Sequence, residues 1–138
     1  MMSESILNAS ILIVDDSSVN IKLLSRILAS VGFSFISSTT EPENVCALHL
    51  ANAYDLILLD IQMPGMDGFE VMKALKLLQL GHLLPVLVVS AQPNHELASL
   101  GAGAADFISK PFKLTDLVSR IKNILNMGFT EQQLQIQR

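Results

Sequence analysis

Five short runs, most of them apolar and each flanked by helix-like sequence, constrain the fold of this chain more than any other feature. They are SILIVD (10–15), FSFISS (33–38), DLILLD (55–60), PVLVVSA (85–91) and ADFIS (105–109). Their length and β-branched content predict strands, of which the second is the weakest. Strands that are apolar on both faces need cover on both faces, which is typical of a parallel sheet.

Helical patterns separate the predicted strands. The first begins at a Ser17 or Ser18 cap and ends at Gly32, and the second carries Val45 and Leu48 on one face. Three more are predicted over Gly68–Leu80, 94–101 and Leu114–Leu125. Five alternating strands and helices with right-handed crossovers predict an α/β, flavodoxin-like (βα)5 fold. Its doubly wound five-stranded parallel sheet would have strand order 2-1-3-4-5.

Composition limits the class of protein. A chain of 138 residues is long enough for one domain, and 50% hydrophobic residues argue against disorder. No apolar run approaches the roughly 18 residues that span a bilayer, and the first residues lack a signal-peptide pattern. A net charge of −4 without a basic cluster argues against direct nucleic-acid binding. The single Cys46 excludes an internal disulfide and a cysteine-based zinc site.

Polar and charged residues stand where the predicted strands end. Asp15-Asp16 closes the first strand, Asp60 the third and Ser90 the fourth, while Lys110 follows the fifth. The carboxyl ends of parallel strands meet at one edge, and ligands bind there at the switch point, here between strands 1 and 3. Three carboxylates, a hydroxyl and an ammonium group should therefore share one rim.

Three carboxylates on one rim repel each other. At 4 Å and an effective dielectric near 20, each pair costs about 4 kcal/mol. Lys110 supplies one compensating charge. A hard divalent cation with oxygen ligands would supply the rest, and Mg²⁺ suits one or two carboxylates together with water and a phosphate.

Four segments of the sequence carry a resemblance to a known family. VDD in strand 1, LLDIQMPGMDG around the end of strand 3, VSA in strand 4 and KPF after strand 5 closely resemble the receiver domain of bacterial two-component response regulators. The resemblance covers residues 10–126. Residues 1–9 would then be an N-terminal tail, and residues 127–138 a helix extension or the start of a linker to an absent effector.

The resemblance implies a phosphoacceptor and a metal site. Asp60 would form an aspartyl phosphate and also contact the metal, Mg²⁺ or Mn²⁺. Asp16 would bind the metal directly, and Asp15 directly or through water. The backbone carbonyl of Gln62 would be a further ligand.

The resemblance also implies a switch. Ser90 would donate a hydrogen bond to one phosphoryl oxygen, and Lys110 would pair with another. Movement of Ser90 would leave space into which Phe107 rotates, which would couple the site to the face formed by the fourth helix, the fifth strand and the fifth helix. The Lys110-Pro111 peptide bond is expected to be cis.

Two amides are expected to tune the lifetime of the phosphoryl group. Gln62 and Gln92 lie two residues beyond Asp60 and Ser90, and neither can act as a general base, which predicts slow to moderate autodephosphorylation. The chain would be a switch module with self-catalysed phosphoryl transfer and not an enzyme with turnover. It would be cytoplasmic, with a sensor histidine kinase or phosphotransfer protein as donor. A C-terminal effector domain, a downstream protein or a second copy in a homodimer would be its other partners.

Three other functions compete with this interpretation. A phosphatase of the haloacid dehalogenase type needs a second Asp where Gln62 stands. A flavodoxin-like FMN binder needs a phosphate-cradling loop after strand 1, where Asp15-Asp16 would repel the phosphate. A receiver-like module that binds partners without phosphorylation would not need the intact acidic set.

The three histidines have no metal-ligand spacing. His49, His82 and His95 are therefore expected on the solvent side of their elements.

Overall fold

The computed structural model describes residues 4–78 and 84–136, and its centre is one five-stranded sheet. All neighbouring strands are parallel, and their order is β2-β1-β3-β4-β5. The fold predicted from the strand-helix alternation is thus confirmed. The strands are β1 Ser10–Val14, β2 Phe35–Thr39, β3 Leu56–Leu59, β4 Leu84–Ser90 and β5 Ala104–Ser109.

Five helices connect or follow the strands in the described part of the chain, besides a helical turn at Glu4–Leu7 and two 3-10 turns at Pro42–Asn44 and Pro93–His95. They are α1 Ser18–Val31, α2 Val45–Asn52, α3 Gly68–Leu78, α4 Glu96–Gly101 and α5 Leu114–Ile136. The predicted end of α3 at Leu80 lies outside the described residues. No helix among those described combines the length and hydropathy needed to cross a bilayer.

The second strand shows the largest shift from its predicted range. It spans 35–39 and not 33–38, because Phe33 leaves the strand direction and is buried at the end of α1. Its backbone N–H donates to the Leu28 carbonyl, and Gly32, at φ 120°, donates to the Leu28 and Ala29 carbonyls. Such bonds are the usual way to satisfy the last carbonyls of a helix.

Alternate strand residues feed two hydrophobic cores on opposite sheet faces. Ile11 and Ile13 pack with residues of α1 and α5, whereas Leu12 and Val14 pack with residues of α2 and α3. The segment before β1 also contributes, since Ile6 and Ala9 are buried in the first core. Each buried aliphatic side chain contributes about 1.5–3 kcal/mol. The two cores hold the strand ends rigidly in register.

Gly68 lets the start of α3 approach the end of β3. Its N–H donates to the Ile61 carbonyl at 3.0 Å. A Cβ atom at this position would lie 2.7 Å from the carbonyl oxygen of Asp60 and 2.8 Å from Cα of Ile61. These are backbone atoms, so the loop itself would have to move.

Gly68→Ala should therefore destabilise the fold by about 1–3 kcal/mol, the usual cost of overpacking. Gly128→Ala is the matched control, because it lies inside α5 and a Cβ atom added there would meet no heavy atom within 4 Å. That change should be stabilising by about 0.5–1 kcal/mol, since glycine weakens a helix interior. Urea denaturation of both variants measures the difference, and equal stabilities would contradict the close-approach argument.

Candidate functional site

Three carboxylates lie together at the carboxyl edge of the sheet. Val14 pairs with Leu59 in the central ladder, so Asp15 and Asp60 follow paired positions on neighbouring strands. One oxygen from each of Asp15, Asp16 and Asp60 lies within 4.8 Å of the other two. Asp15 is buried, Asp60 half-buried and Asp16 exposed. The site predicted from the strand ends has this acidic centre.

Asp15 is held by two hydrogen bonds and one ion pair. The Ser17 N–H donates to its Oδ1 at 2.9 Å, and the Asn20 side-chain amide donates to its Oδ2 at 3.3 Å. The Lys110 Nζ lies 3.7 Å from the same Oδ2. The local cause is the start of α1, where Ser17 caps the helix by accepting from the Asn20 N–H. The Lys110 pair is long enough for the ammonium group to turn to another oxygen.

Asp60 has a raised pKa within this cluster. Burial and the neighbouring Asp15 carboxylate raise the pKa of Asp60, with a smaller contribution from Asp16. Lys110 and the Gln62 backbone N–H, which donates to Asp60 Oδ1 at 3.4 Å, oppose the increase in pKa. Three ionised carboxylates and one ammonium group leave two negative charges, so the cluster by itself lacks positive charge.

The donor set fits a hard divalent cation. Mg²⁺ binds oxygen at about 2.0–2.1 Å, so two ligands on one ion lie at most about 4.2 Å apart. The oxygens of the cluster, all within 4.8 Å of one another, meet this limit with a small closure or with one bridging water. Carboxylate oxygens with water suit Mg²⁺ or Mn²⁺ better than softer metals.

Ser90 ends β4 at the same edge of the sheet and is fully buried. Its hydroxyl accepts from the Gln92 N–H at 3.1 Å and lies 3.1 Å from Nδ1 of His95. Its carbonyl accepts from the Lys110 N–H at 2.8 Å, which ties the end of β4 to the loop after β5. Within the described residues the Ser90 hydroxyl bonds to these two partners and not to the acidic cluster.

Phe107 lies on β5 opposite Val88 and is 4% exposed. Its ring belongs to the core on the α2 and α3 face, so it is already inside the fold. The Lys110-Pro111 peptide bond that follows β5 is cis.

The expectation for the histidines is wrong for two of them. His49 is 6% exposed, and its Nδ1 accepts from the Tyr54 N–H at 3.2 Å. His95 is half-buried against Ser90, with its ring edge-on to Phe69 at a centroid distance of 5.6 Å. Ligand spacing carries no information about such single bonds, which is why the sequence missed both. His82 lies outside the described residues.

A cavity of about 350 Å³ opens beside the acidic cluster. It lies between α1 and the loop after β5, and its walls are mainly apolar. The residues that line it are Asn20, Leu23, Leu24, Ile27, Lys110, Pro111, Phe112 and Leu114. Two of them, Asn20 and Lys110, also contact Asp15.

Comparison with known proteins agrees with this arrangement. The family model described as "Response regulator receiver domain" matches residues 11–122. The chain belongs to this family. The receiver is therefore a signalling module of two-component systems, and the resemblance seen in the four sequence motifs is confirmed.

The relatives of this receiver are larger proteins. The transcriptional regulatory protein YvrH of Bacillus subtilis is 34% identical over 128 residues, which are 91% of this chain and 53% of YvrH. The hybrid signal transduction histidine kinase L of Dictyostelium discoideum is 35% identical over 119 residues, 81% of this chain and 7% of that kinase. The chain thus spans about half the length of the first relative and a small part of the second.

A solved structure of similar size shares the receiver's fold. The putative response regulator from Chloroflexus aurantiacus superposes with a TM-score of 0.79 at 31% identity. The match covers 86% of this chain and 98% of that one.

The raised pKa of Asp60 predicts a pH-dependent stability. The folded metal-free protein binds the Asp60 proton more tightly than the unfolded chain, so stability falls as pH rises above the ordinary value of 3.8. In EDTA at pH 7, Asp60→Asn should be more stable than wild type by on the order of 1 kcal/mol. The gain should shrink toward zero as pH approaches about 4.

Urea denaturation at several pH values measures this difference. Asp67→Asn is the matched control, because Asp67 lies outside the cluster and accepts from the Glu70 N–H at the start of α3. That change should give no gain. A destabilised Asp60→Asn protein at pH 7 would show that the carboxylate is favourable in the fold.

Proposed function

We propose that this receiver accepts a phosphoryl group on Asp60 in a Mg²⁺-dependent reaction and switches its signalling surface in response. The observation that carries the proposal is the cluster of Asp15, Asp16 and Asp60 at the carboxyl edge of the sheet, with Lys110 paired to Asp15. Repulsion within such a cluster destabilises the fold, and destabilising charge clusters are typical of functional sites. A bound cation and a phosphoryl group on Asp60 would give this cluster a function.

The chemistry is an in-line displacement at phosphorus. A carboxylate oxygen of Asp60 forms the new P–O bond, while the P–N bond of a phosphohistidine donor breaks. The electron pair stays on the leaving imidazole nitrogen. Asp60 acts as nucleophile only when it is ionised, and the raised pKa of its carboxyl group means that the carboxylate is a stronger base than an ordinary aspartate.

Lys110 is the cation that this chain itself brings to the reaction. Its ammonium group pairs loosely with Asp15 and can turn to an oxygen of the transferring group, where it offsets charge without reorganising the backbone. Ser90 would donate a hydrogen bond to a second oxygen after transfer. The bond between the Lys110 N–H and the Ser90 carbonyl keeps both residues at the same edge.

Asp15, Asp16 and Asp60, together with the Gln62 backbone carbonyl, would hold the Mg²⁺ ion. The ion would neutralise negative charge on the phosphoryl group. Asp16 is the exposed member and the most accessible direct ligand. Asp15 already accepts two hydrogen bonds and pairs with Lys110, so it suits a water-bridged contact. Removing either carboxylate should weaken the metal site.

The switch would act through α4, β5 and α5. Phosphorylation gives Asp60 a group of about two negative charges that attracts the Ser90 hydroxyl. Phe107 is already buried in this structure, so its response would be a repacking within the core and not an entry from solvent. That repacking would shift the population of two arrangements of the surface around β5.

The phosphoryl group should be lost slowly without help. Gln62 and Gln92 are exposed amides beyond Asp60 and Ser90, and an amide cannot activate water as a general base. The receiver would therefore be a phosphoacceptor switch that catalyses phosphoryl transfer to its own Asp60 and dephosphorylates slowly, and not a turnover enzyme.

The receiver would have partners both upstream and downstream in signalling. A sensor histidine kinase or a phosphotransfer protein would supply the phosphoryl group. A C-terminal effector domain or a separate protein would respond, and a homodimer is one form the response could take. Residues 10–126 would be the receiver domain, and residues 127–138 a helix extension or the start of a linker to the effector. The comparison proteins support this only by class, since one is a transcriptional regulatory protein and another a hybrid histidine kinase.

Acetyl phosphate or phosphoramidate with Mg²⁺ should add one phosphoryl group to the wild-type protein. Intact-mass spectrometry should detect the gain, and hydroxylamine should remove it, because an acyl phosphate is the product. Asp60→Asn should show no gain, whereas Asp67→Asn, which removes a nearby carboxylate outside the cluster, should keep it. Continuous phosphate-ester turnover without a trapped intermediate would point instead to a phosphatase.

Mg²⁺ should stabilise the wild-type protein by mass action. Saturation at about 100 times the dissociation constant would add about 2.7 kcal/mol to the free energy of unfolding. Asp16→Asn should lose most of this gain, because it removes the exposed ligand, and Asp67→Asn should retain it. Urea denaturation with and without Mg²⁺ measures the effect; the same gain in Asp16→Asn would place the ion elsewhere.

A further inference from the structure

The Ser90 hydroxyl is bonded to a side chain outside the acidic cluster. His95 Nδ1 lies 3.1 Å from Ser90 Oγ, and the Gln92 N–H donates to the same oxygen at 3.1 Å. The His95 ring is fixed from another side by its edge-on contact with Phe69.

A hydroxyl has one proton to donate and two lone pairs that accept. In Ser90 one lone pair is taken by Gln92. Ser90 is fully buried, and His95 Nδ1 is the acceptor that the described residues offer to its proton. A buried hydroxyl proton without an acceptor is unfavourable. The hydrogen bond therefore runs from Ser90 to His95, with the imidazole proton on Nε2.

The same proton is the one that a phosphoryl oxygen would need. Resting on the proposed function, we propose that His95 is a positioning residue that competes with the phosphoryl group for the Ser90 proton. The Ser90–His95 bond stabilises the unphosphorylated state, and phosphorylation of Asp60 breaks it. The free energy of this bond must therefore be given up before Ser90 can donate its proton to the phosphoryl group.

A change at His95 should also affect α4, because the His95 backbone makes hydrogen bonds at the start of that helix. The His95 N–H donates to the Gln92 carbonyl at 3.1 Å, and the His95 carbonyl accepts from the Ser99 hydroxyl at 2.7 Å. Ser99 is the one buried residue of α4, whose Leu97 is 84% exposed. A short helix with so little burial depends on such polar contacts. Release of His95 from Ser90 should therefore loosen the N-terminal end of α4.

Nitrogen NMR of the His95 ring tests the bond in the free protein, without phosphorylation. At pH about 8, Nδ1 of the wild type should give the shift of a hydrogen-bonded acceptor. In Ser90→Ala the Nδ1 shift should move to that of a free acceptor. Addition of fluoroberyllate, a phosphoryl analogue, with Mg²⁺ should move the wild-type shift toward the Ser90→Ala position. An Nδ1 shift that is the same in wild type and Ser90→Ala would overturn the inference.

Fluoroberyllate affinity tests the competition. His95→Phe keeps a ring against Phe69 and removes Nδ1, so it should bind fluoroberyllate about two- to tenfold more tightly than wild type. His95→Asn is the matched control, because its amide can reach the position of Nδ1, and it should bind within about twofold of wild type. In a Ser90→Ala background, His95→Phe should no longer change the affinity, since the contested proton is gone.

The outcomes separate the two proposals. Equal or weaker binding by His95→Phe overturns the competition while leaving phosphorylation of Asp60 intact. A gain that persists in the Ser90→Ala background assigns the effect to packing and also overturns it. Failure of the wild type itself to bind fluoroberyllate would overturn the proposed function, and this inference with it.

Discussion

Repulsion among three carboxylates at one edge of the sheet is the constraint on which the rest of the structure depends. Asp15 is buried and is stabilised by two hydrogen bonds and the Lys110 ion pair. Asp60 has a raised pKa and little compensation beyond Lys110 and one backbone N–H. Burial in the two hydrophobic cores offsets this repulsion and holds in place the strands after which the carboxylates lie. The rigid sheet cannot relax by moving the carboxylates apart, so the charge imbalance persists until a cation or a proton arrives.

The sequence predicted this constraint because it follows from backbone periodicity. Parallel strands end at one edge, and the register of β1 with β3 then brings Asp15 and Asp60 together whatever the details of the loops. The predicted boundaries lie within one residue of those observed for the other strands, and the start of β2 differs by two. Phe33 is apolar enough for either a strand or a helix end. The backbone hydrogen bond from its N–H to the Leu28 carbonyl places it at the helix end.

The sequence pattern could not predict individual side-chain contacts. His95 bonds Ser90 because a 3-10 turn at Pro93–His95 folds the chain back on the end of β4. A histidine five residues after a serine has no periodic signal, and an extended loop would have put the ring in solvent. The close approach of Gly68 to the Asp60 carbonyl is of the same kind, since a glycine at a helix start also serves ordinary turns. Such contacts arise from loop geometry that no hydrophobic pattern encodes.

These local contacts determine how a change of charge on Asp60, at the end of β3, could affect a distant surface. Under the proposed function, a change at Asp60 would have two routes out of the site. One is through the core, where Phe107 is already packed and can only repack against its neighbours. The other is through polar contacts from Ser90 to His95 and on to Ser99 in α4. Packed cores respond in discrete steps, whereas one hydrogen bond can be exchanged for another of similar energy. The polar route would therefore need the smaller driving force, and it ends at a helix that buries little of its own surface.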